Sequence, residues 1–195
     1  MVLYSQTSPQ WATRIWWLLR IAGFDNARVL NGGLTKWKLD QRTVTDQQTI
    51  YPSAQLTTEP RTGLMASKDD VLKAIDEPTT CTINALRRAQ HTGQDDGEFG
   101  NYGRPGHISG SVNVPTVELV DGATSEFLDS QEIAKRFHEI GTDKANRIIT
   151  YCGGGIAASA TAMVLVMLGF DNVSLYDASL SEWAPDQNLP MDTQN

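Results

Sequence analysis

The sequence contains few of the residues on which metal sites and disulfide scaffolds depend. Two cysteines, Cys81 and Cys152, and three histidines occur in 195 residues, and no C-x-x-C pair is present. A zinc site needs a larger set of soft ligands at regular spacing, and a disulfide scaffold needs several cysteine pairs. We therefore expect neither, and we expect Cys81, in a short apolar run, to be a buried strand residue.

Basic residues and long apolar runs are also scarce. Sixteen Lys and Arg residues against 23 Asp and Glu residues give a formal net charge of −7. A nucleic acid or an anionic membrane surface requires a basic face, so we expect neither as a partner. The apolar runs at residues 15–21 and 157–170 are too short to span a bilayer, and the first residues do not resemble a secretory signal. We therefore expect a cytoplasmic protein.

One segment stands out from an otherwise ordinary globular composition. An apolar run with strand character ends on Cys152, and an Ala/Met/Val/Leu run with helical character begins a few residues later. The intervening loop and helix start consist of Gly153, Gly154, Gly155, Ile156 and Ala157. Backbone N–H groups at such a helix N-terminus bind anions and favour a thiolate over a thiol. The pattern predicts that Cys152 is a nucleophile and that the loop binds its substrate or product.

Part of the sequence is repeated. Residues 23–26, Gly-Phe-Asp-Asn, recur as residues 169–172. Each copy has the order strand, loop, helix, glycine turn and strand, which predicts a βαβ unit with parallel strands. Cys152 of the second copy aligns with Ser5 of the first, where no glycines follow. An unassisted serine hydroxyl is a poor nucleophile, so we expect the first copy to be catalytically silent.

These patterns divide the chain into three parts. We predict a partial, silent domain at residues 1–45, a polar linker at 46–66 and a catalytic domain at 67–195, where strands and helices alternate. An isolated βαβ fragment exposes strand edges that it cannot cover by itself. The first part must therefore pack on the second, pair with another chain, or derive from a longer protein shortened at its N-terminus. We favour the last interpretation, while formation of a homo-oligomer stays open.

Three segments of the second part resemble the rhodanese (sulfurtransferase) family. Residues 106–115, Gly-His-Ile-Ser-Gly-Ser-Val-Asn-Val-Pro, are similar to a family signature. Tyr151 and Cys152 with their glycine loop resemble the active-site loop, and residues 169–183 resemble the closing strand and turn. The resemblance covers nearly all of residues 67–195. Because the first forty residues look like the tail of an inactive second domain, the parent pattern is a tandem-domain thiosulfate or 3-mercaptopyruvate sulfurtransferase.

The resemblance implies an α/β fold and a specific chemistry. The fold is a rhodanese-like parallel sheet flanked by helices, preceded by a partial βαβ remnant of a second rhodanese domain. Cys152 would accept sulfane sulfur as a persulfide from a small sulfur-containing anion, either thiosulfate or 3-mercaptopyruvate. It would then pass the sulfur to a thiol or to cyanide. No metal and no organic cofactor is implied.

The sequence departs from the family pattern at several positions. The uncharged loop looks closer to that of 3-mercaptopyruvate sulfurtransferases, but Gly154 and Ala157 lack the hydroxyl groups that loop carries. The family's Asp-x-Arg falls on residues 84–86, Asn-Ala-Leu, which lack the arginine. The neighbouring Arg87 and Arg88 either contact the substrate or are solvated surface charges. His91 is a third candidate contact, and we expect His107 to be structural.

Two alternatives to sulfur transfer can be weighed. A cysteine phosphatase needs Cys-x₅-Arg because the arginine binds the oxyanion with two hydrogen bonds. Counting from Cys152 places Ala158 there, so phosphatase chemistry is excluded. The second alternative is a degenerate module that relays persulfide sulfur or binds another protein without efficient turnover, and it remains open.

Overall fold

A computed structural model describes residues 1–95, 97–98 and 100–194. The first part of the chain forms a small β-α-β-α unit. Its elements are β1 (Val2–Leu3), α1 (Gln10–Ile21), β2 (Arg28–Val29) and α2 (Gly33–Leu39). Strands β1 and β2 pair in parallel. Because α1 connects two parallel neighbours, the unit has the βαβ arrangement that the sequence predicts.

The second part forms a four-stranded parallel sheet with helices around it. The elements up to the centre of the sheet are α3 (Lys68–Ala74), β3 (Thr80–Asn84), α4 (Arg88–His91), β4 (His107–Ile108), β5 (Val112–Asn113) and α5 (Ser130–Glu139). The remaining ones are β6 (Arg147–Tyr151), α6 (Ile156–Met167), β7 (Val173–Leu175), α7 (Ser179–Trp183) and β8 (Met191–Asp192). The strand order is β5-β3-β6-β7, and every pair is parallel. The predicted parallel α/β sheet flanked by helices is confirmed.

Local chemistry explains where two of these helices begin and how they pack. The Ser67 hydroxyl accepts a hydrogen bond from the Asp70 N–H, and the Asp70 carboxylate accepts one from the Ser67 N–H, which stabilises the start of α3. Helix α6 is apolar on nearly all sides, and most of its side chains are buried. No helix in the described part of the chain has both the length and the apolar character needed to cross a membrane.

The two parts of the chain pack together through α1 and α6. Trp17 of α1 is fully buried in the core that also contains residues of α6. The hydroxyls of Thr13 and Ser159 are 3.3 Å apart at this contact, and Arg14 forms an ion pair with Asp177. The first part of the chain therefore packs on the second part, which is one of the three options that the sequence leaves for it. The predicted boundaries at residues 45 and 66 stay predictions.

The two copies of the repeated segment make corresponding hydrogen bonds. The Leu34 N–H donates to the Ser5 carbonyl at 2.9 Å, and the Leu180 N–H donates to the Cys152 carbonyl at 3.1 Å. Ser5 and Cys152 therefore occupy equivalent places in the two β-α-β-α units.

The copies differ in how their outer faces are covered. In the second copy, Ile149 and Tyr151 are fully buried in a cluster that includes Val71 of α3. Their counterparts in the first copy, Val2 and Tyr4, are 64% and 61% exposed. The first copy therefore stabilises the molecule mainly through α1.

We predict that Trp17→Ala lowers the free energy of unfolding by about 3–5 kcal/mol, because it leaves a large cavity between α1 and α6. Urea unfolding followed by circular dichroism measures the loss. Trp11→Ala is the matched control, since Trp11 lies on the same helix but is 60% exposed, and it should change stability by less than about 1 kcal/mol. Equal losses in the two variants would contradict the packing described here.

Candidate active site

Cys152 lies at the carboxyl end of β6, the strand between β3 and β7. Cys152 is only 2% exposed to solvent. Gly155 precedes α6 with a φ of 78°, and a Cβ atom added there would lie 2.2 Å from the Asp177 carboxylate. Both the backbone angle and the close approach require glycine at this position. The strand, loop and helix are therefore arranged around the thiol as the sequence predicts.

The loop after Cys152 presents a run of backbone N–H groups at the start of α6. Within the described part of the chain, no acceptor is found for the N–H groups of Gly153, Gly154, Gly155, Ile156 and Ala157. Helix α6 begins within this run, and the first N–H groups of any helix lack intrahelical acceptors. These donors, together with the positive end of the α6 dipole, can bind an anion next to the Cys152 sulfur.

The loop is attached to the start of α7 by a set of hydrogen bonds. The Ser179 hydroxyl accepts from the Cys152 N–H at 3.0 Å and donates to the Tyr176 carbonyl at 2.7 Å. The Ser181 hydroxyl and N–H both donate to the Gly153 carbonyl, at 2.6 and 2.9 Å. These bonds use the polar groups on the α7 side of the loop and hold Cys152 in place.

Ser179 is a residue of the candidate site to which no motif in the sequence pointed. Its φ is 53°, in the left-handed region that a serine rarely adopts. Its counterpart in the first copy is Gly33, with a φ of 51°. The alignment of a serine with a glycine was the signal that could have identified it. Serine carries the strain here because its hydroxyl positions Cys152.

A cavity of about 230 Å³ lies next to Tyr102 and Leu180, and none of residues 152–157 is among its described lining residues. Its lining includes Leu86, Tyr102 and Leu180, together with glycines of the segment before β4 and the charged residues Asp95 and Arg104. Leu86 packs against the core cluster that contains Cys152. A donor molecule bound in the cavity would thus meet an apolar wall where the family pattern has an arginine.

Tyr102 is a second residue that the sequence analysis did not single out. A Cβ atom added at Gly153 would lie 2.1 Å from both Cζ and the hydroxyl oxygen of Tyr102, so the phenol group rests directly on the loop. Burial raises the pKa of Tyr102, and negative charge at Cys152 and Asp95 raises it further. The phenol therefore stays protonated at neutral pH.

The predicted arginine contacts stay untested. Arg87 and Arg88 are both exposed, and neither is among the described residues that line the cavity. Arg87 precedes α4, and its N–H donates to the Gln90 side chain at 3.3 Å. The structure thus brings Leu86, rather than its two basic neighbours, to the cavity wall.

His91 and His107 form a buried stacked pair. Their ring centroids are 3.7 Å apart, and both residues are at most 1% exposed. The Asn84 side chain lies 3.2 Å from His91 Nδ1, and His107 Nδ1 donates to the His91 carbonyl at 2.7 Å. Burial lowers the pKa of His91 to about 3, with smaller contributions from His107 and Arg88. This environment favours a structural role for both histidines.

Cys81, on β3, has different surroundings from Cys152. Burial raises its pKa to about 11, so it remains a thiol at neutral pH. It therefore serves as the natural control for chemistry at Cys152.

Comparison with known proteins gives this arrangement a family. The family model of the rhodanese-like domain matches residues 84–186, more than half of the chain. This chain belongs to the rhodanese family. The matched residues contain Cys152, its loop and the α7 residues that anchor it.

Several relatives extend the match to both parts of the chain. The chain is 30% identical to the 3-mercaptopyruvate sulfurtransferase of Escherichia coli strain K12, over 98% of this chain and 67% of that protein. It is 31% identical to thiosulfate/3-mercaptopyruvate sulfurtransferase 2 of Arabidopsis thaliana, over 98% of this chain and 61% of that protein. These relatives support a sulfurtransferase role for this member of the rhodanese family.

A solved structure with the same fold agrees with the architecture. The anaerobic ergothioneine biosynthesis enzyme of Chlorobium limicola superposes with a TM-score of 0.87 at 20% identity, over all of this chain and 51% of that one. At this identity the likeness shows the fold alone. The fold shared with that structure therefore extends over the first part of the chain as well as residues 84–186.

We predict that Ser179→Ala lowers the free energy of unfolding by about 1–3 kcal/mol, because it removes the partner of the buried Cys152 N–H. It should also change the rate at which iodoacetamide alkylates Cys152, since the loop loses an anchor. Thermal unfolding and intact-mass kinetics measure the two effects. Ser125→Ala is the control: Ser125 has a similar φ of 60°, and in the described part of the chain its hydroxyl makes no hydrogen bond. Equal losses of unfolding free energy in Ser179→Ala and Ser125→Ala would show that the left-handed backbone conformation shared by the two serines determines the loss, rather than the hydrogen bond from Cys152.

We predict that the buried His91 makes the fold acid-sensitive. Since its folded pKa, about 3, lies below the unfolded value of about 6.5, the unfolded chain binds more protons between these values. Stability is then present above pH 6.5 and is lost as the pH falls towards 3, by up to about 2 kcal/mol at pH 5.

The measurement is urea unfolding from pH 8 to pH 5 for the wild type and His91→Gln. The variant should lose less stability on acidification than the wild type does. His138→Gln, which removes an exposed histidine, should keep the wild-type loss. If His91→Gln loses as much unfolding free energy between pH 8 and pH 5 as the wild type does, His91 is not the source of the acid sensitivity.

Proposed function

We propose that this chain transfers sulfane sulfur through a persulfide on Cys152. The observation that carries the proposal is the position of Cys152 at the carboxyl end of a central strand, before a run of N–H groups at the start of α6 that have no acceptor among the described residues. A persulfide is an anion, and these donors suit an anion bound to the Cys152 sulfur. Membership of the rhodanese family and relatives named as sulfurtransferases support the same chemistry.

The proposed reaction has two steps. The Cys152 thiolate attacks the outer sulfur of the donor, a new S–S bond forms, and the donor's bond to that sulfur breaks. The electron pair leaves with sulfite when thiosulfate is the donor, or with the enolate of pyruvate when 3-mercaptopyruvate is. A thiolate or cyanide then attacks the outer persulfide sulfur and regenerates the Cys152 thiolate. Because each step is nucleophilic displacement at sulfur, neither needs an external oxidant or a metal.

The proposed donor is a small sulfur-containing anion that binds between the Cys152 loop and the cavity lined by Leu86, Tyr102 and Leu180. The two donor classes differ in charge, since thiosulfate is a dianion and mercaptopyruvate carries its charge on a carboxylate. The cavity wall is apolar at Leu86 and acidic at Asp95, while the Arg104 side chain binds backbone carbonyls of residues 183–186. These surroundings favour 3-mercaptopyruvate over the dianion.

A second candidate is a persulfide relay without efficient turnover. Cys152 is only 2% exposed, and the arginine of the family pattern is replaced by Leu86. Both features would slow the capture of a small donor from solution. A relay would instead receive its sulfur from the persulfide of another protein.

We predict that incubation with 3-mercaptopyruvate or thiosulfate adds the mass of one sulfur atom to the chain. Intact-mass spectrometry of the protein before and after incubation measures the addition. Cys152→Ser should gain no sulfur, because the hydroxyl that replaces the thiol has no activating base. Cys81→Ser should load as the wild type does.

Three outcomes decide between the candidates. Loading by a small donor, followed by repeated release to cyanide, supports the enzyme. Loading only from a persulfidated protein supports the relay. No loading from any source, or loading that survives Cys152→Ser, sinks both proposals.

A further inference from the structure

The close contact between Tyr102 and Gly153 suggests a role for a side chain outside the cysteine loop. Gly153 does not have a positive φ, so its backbone angle would tolerate a side chain. The space is nevertheless occupied, because a Cβ atom would lie 2.1 Å from the Tyr102 hydroxyl oxygen and from Cζ. Glycine at 153 therefore allows a phenol group to approach the residue that follows the nucleophile.

The Tyr102 hydroxyl is available as a hydrogen-bond donor. In the described part of the chain it has no hydrogen-bond partner, and Tyr102 both rests on Gly153 and lines the neighbouring cavity. Its raised pKa keeps the proton on the phenol oxygen. A protonated phenol beside a developing anion can donate a hydrogen bond to it.

The position of Tyr102 is held by its neighbours in the chain. Arg104 Nε donates to the Ala184 carbonyl at 2.8 Å, and Arg104 Nη2 donates to the Asp186 carbonyl at 2.7 Å. These carbonyls follow α7, the helix that also anchors the Cys152 loop. The phenol and the thiol are thus attached to the same rigid element, which limits their relative movement.

The other side chains close to the Cys152 loop either lack a donor or use it elsewhere. Gly154 and Ala157 have no hydroxyl, and Leu86 has no polar group. The hydroxyls of Ser179 and Ser181 donate to the carbonyls of Tyr176 and Gly153, and Arg14 is paired with Asp177. Tyr102, whose phenol rests on Gly153, is placed to donate a hydrogen bond to the leaving group.

We propose that Tyr102 is a substrate-contacting residue that covers the Cys152 loop and donates a hydrogen bond to an oxyanion of the molecule reacting there. This inference rests on the proposed sulfur transfer for its biological meaning. During transfer, the S–S bond between Cys152 and the outer sulfur forms while the donor's bond to that sulfur breaks. The electron pair leaves on sulfite or on the pyruvate enolate, whose oxygen accepts the phenol hydrogen bond, and the phenol keeps its proton.

We predict that Tyr102→Phe lowers the rate constant for sulfur loading about 10-fold or more, since a hydrogen bond to a charged group is lost while the ring remains. Single-turnover mass spectrometry with each donor measures loading, and thermal unfolding verifies the fold. Tyr51→Phe is the control, because Tyr51 is 79% exposed, and it should load as the wild type does. A Tyr102→Phe variant that loads as fast as the wild type with both donors overturns the hydroxyl role.

Alkylation of Cys152 tests the same contact without sulfur transfer. Tyr102→Ala should speed alkylation by neutral iodoacetamide several-fold, because the cover is removed, whereas Tyr102→Phe should leave that rate unchanged. Tyr102→Phe should slow alkylation by iodoacetate, whose carboxylate can accept the phenol hydrogen bond. Unchanged iodoacetamide rates in Tyr102→Ala overturn the covering role, and unchanged iodoacetate rates in Tyr102→Phe overturn the donor role.

The sulfur-loading and alkylation experiments distinguish failure of the proposed sulfur transfer from failure of the proposed role of Tyr102. If the wild type loads no sulfur, the proposed function fails while the alkylation rates still decide the role of Tyr102. If the wild type loads sulfur and neither Tyr102 variant differs from it in any assay, this inference fails while the proposed function stands.

Discussion

The candidate site depends on the hydrogen bonds that join the Cys152 loop to the start of α7. Ser179 and Ser181 supply polar groups to one side of the loop, so its backbone is held without using the N–H groups that follow Cys152. Those N–H groups consequently remain available to an anion. Ser179 provides its hydroxyl from a left-handed backbone conformation, which costs of order 1 kcal/mol or more. The site therefore combines local strain with N–H groups that find no acceptor in the described part of the chain, and the surrounding sheet and α6 must stabilise both.

The first copy of the repeat has the same backbone frame with a different side chain at the position of Cys152. Ser5 occupies the place of Cys152, and its hydroxyl accepts a hydrogen bond from the Ala12 N–H of α1 at 2.9 Å. In the first copy, the Ser5 hydroxyl thus accepts the hydrogen bond of an N–H group near the start of α1. The carbonyl bonds of Ser5 and Cys152 to Leu34 and Leu180 are equivalent. What distinguishes the copies is the side chain at this position and the loop that follows it, rather than the architecture.

Residues close in sequence to the thiol were predicted well, whereas those that reach it through space were not. The glycine loop, the strand before it and the helix after it have strong local signals, because strand, turn and helix patterns follow one another within eleven residues. Tyr102 lies fifty residues before Cys152, in a glycine-rich segment with no periodic pattern. His91 was a candidate contact because it occupies a position near Gly93 where the family often has an aromatic residue, yet it lies in a buried pair with His107. Spacing along a chain does not reveal whether a side chain faces a cavity or the core.

The sequence by itself determined the fold class, the repeat and the position of Cys152 between a strand and a helix, because each depends on local patterns or on a motif of contiguous residues. Tertiary structure alone decided which side chains surround that cysteine. It placed Leu86 at the cavity wall and Tyr102 on Gly153, and it packed Trp17 of the first copy against α6. These contacts arise between elements that are remote in the chain, where the burial of apolar area and the direction of each side chain are set by packing rather than by neighbours in sequence.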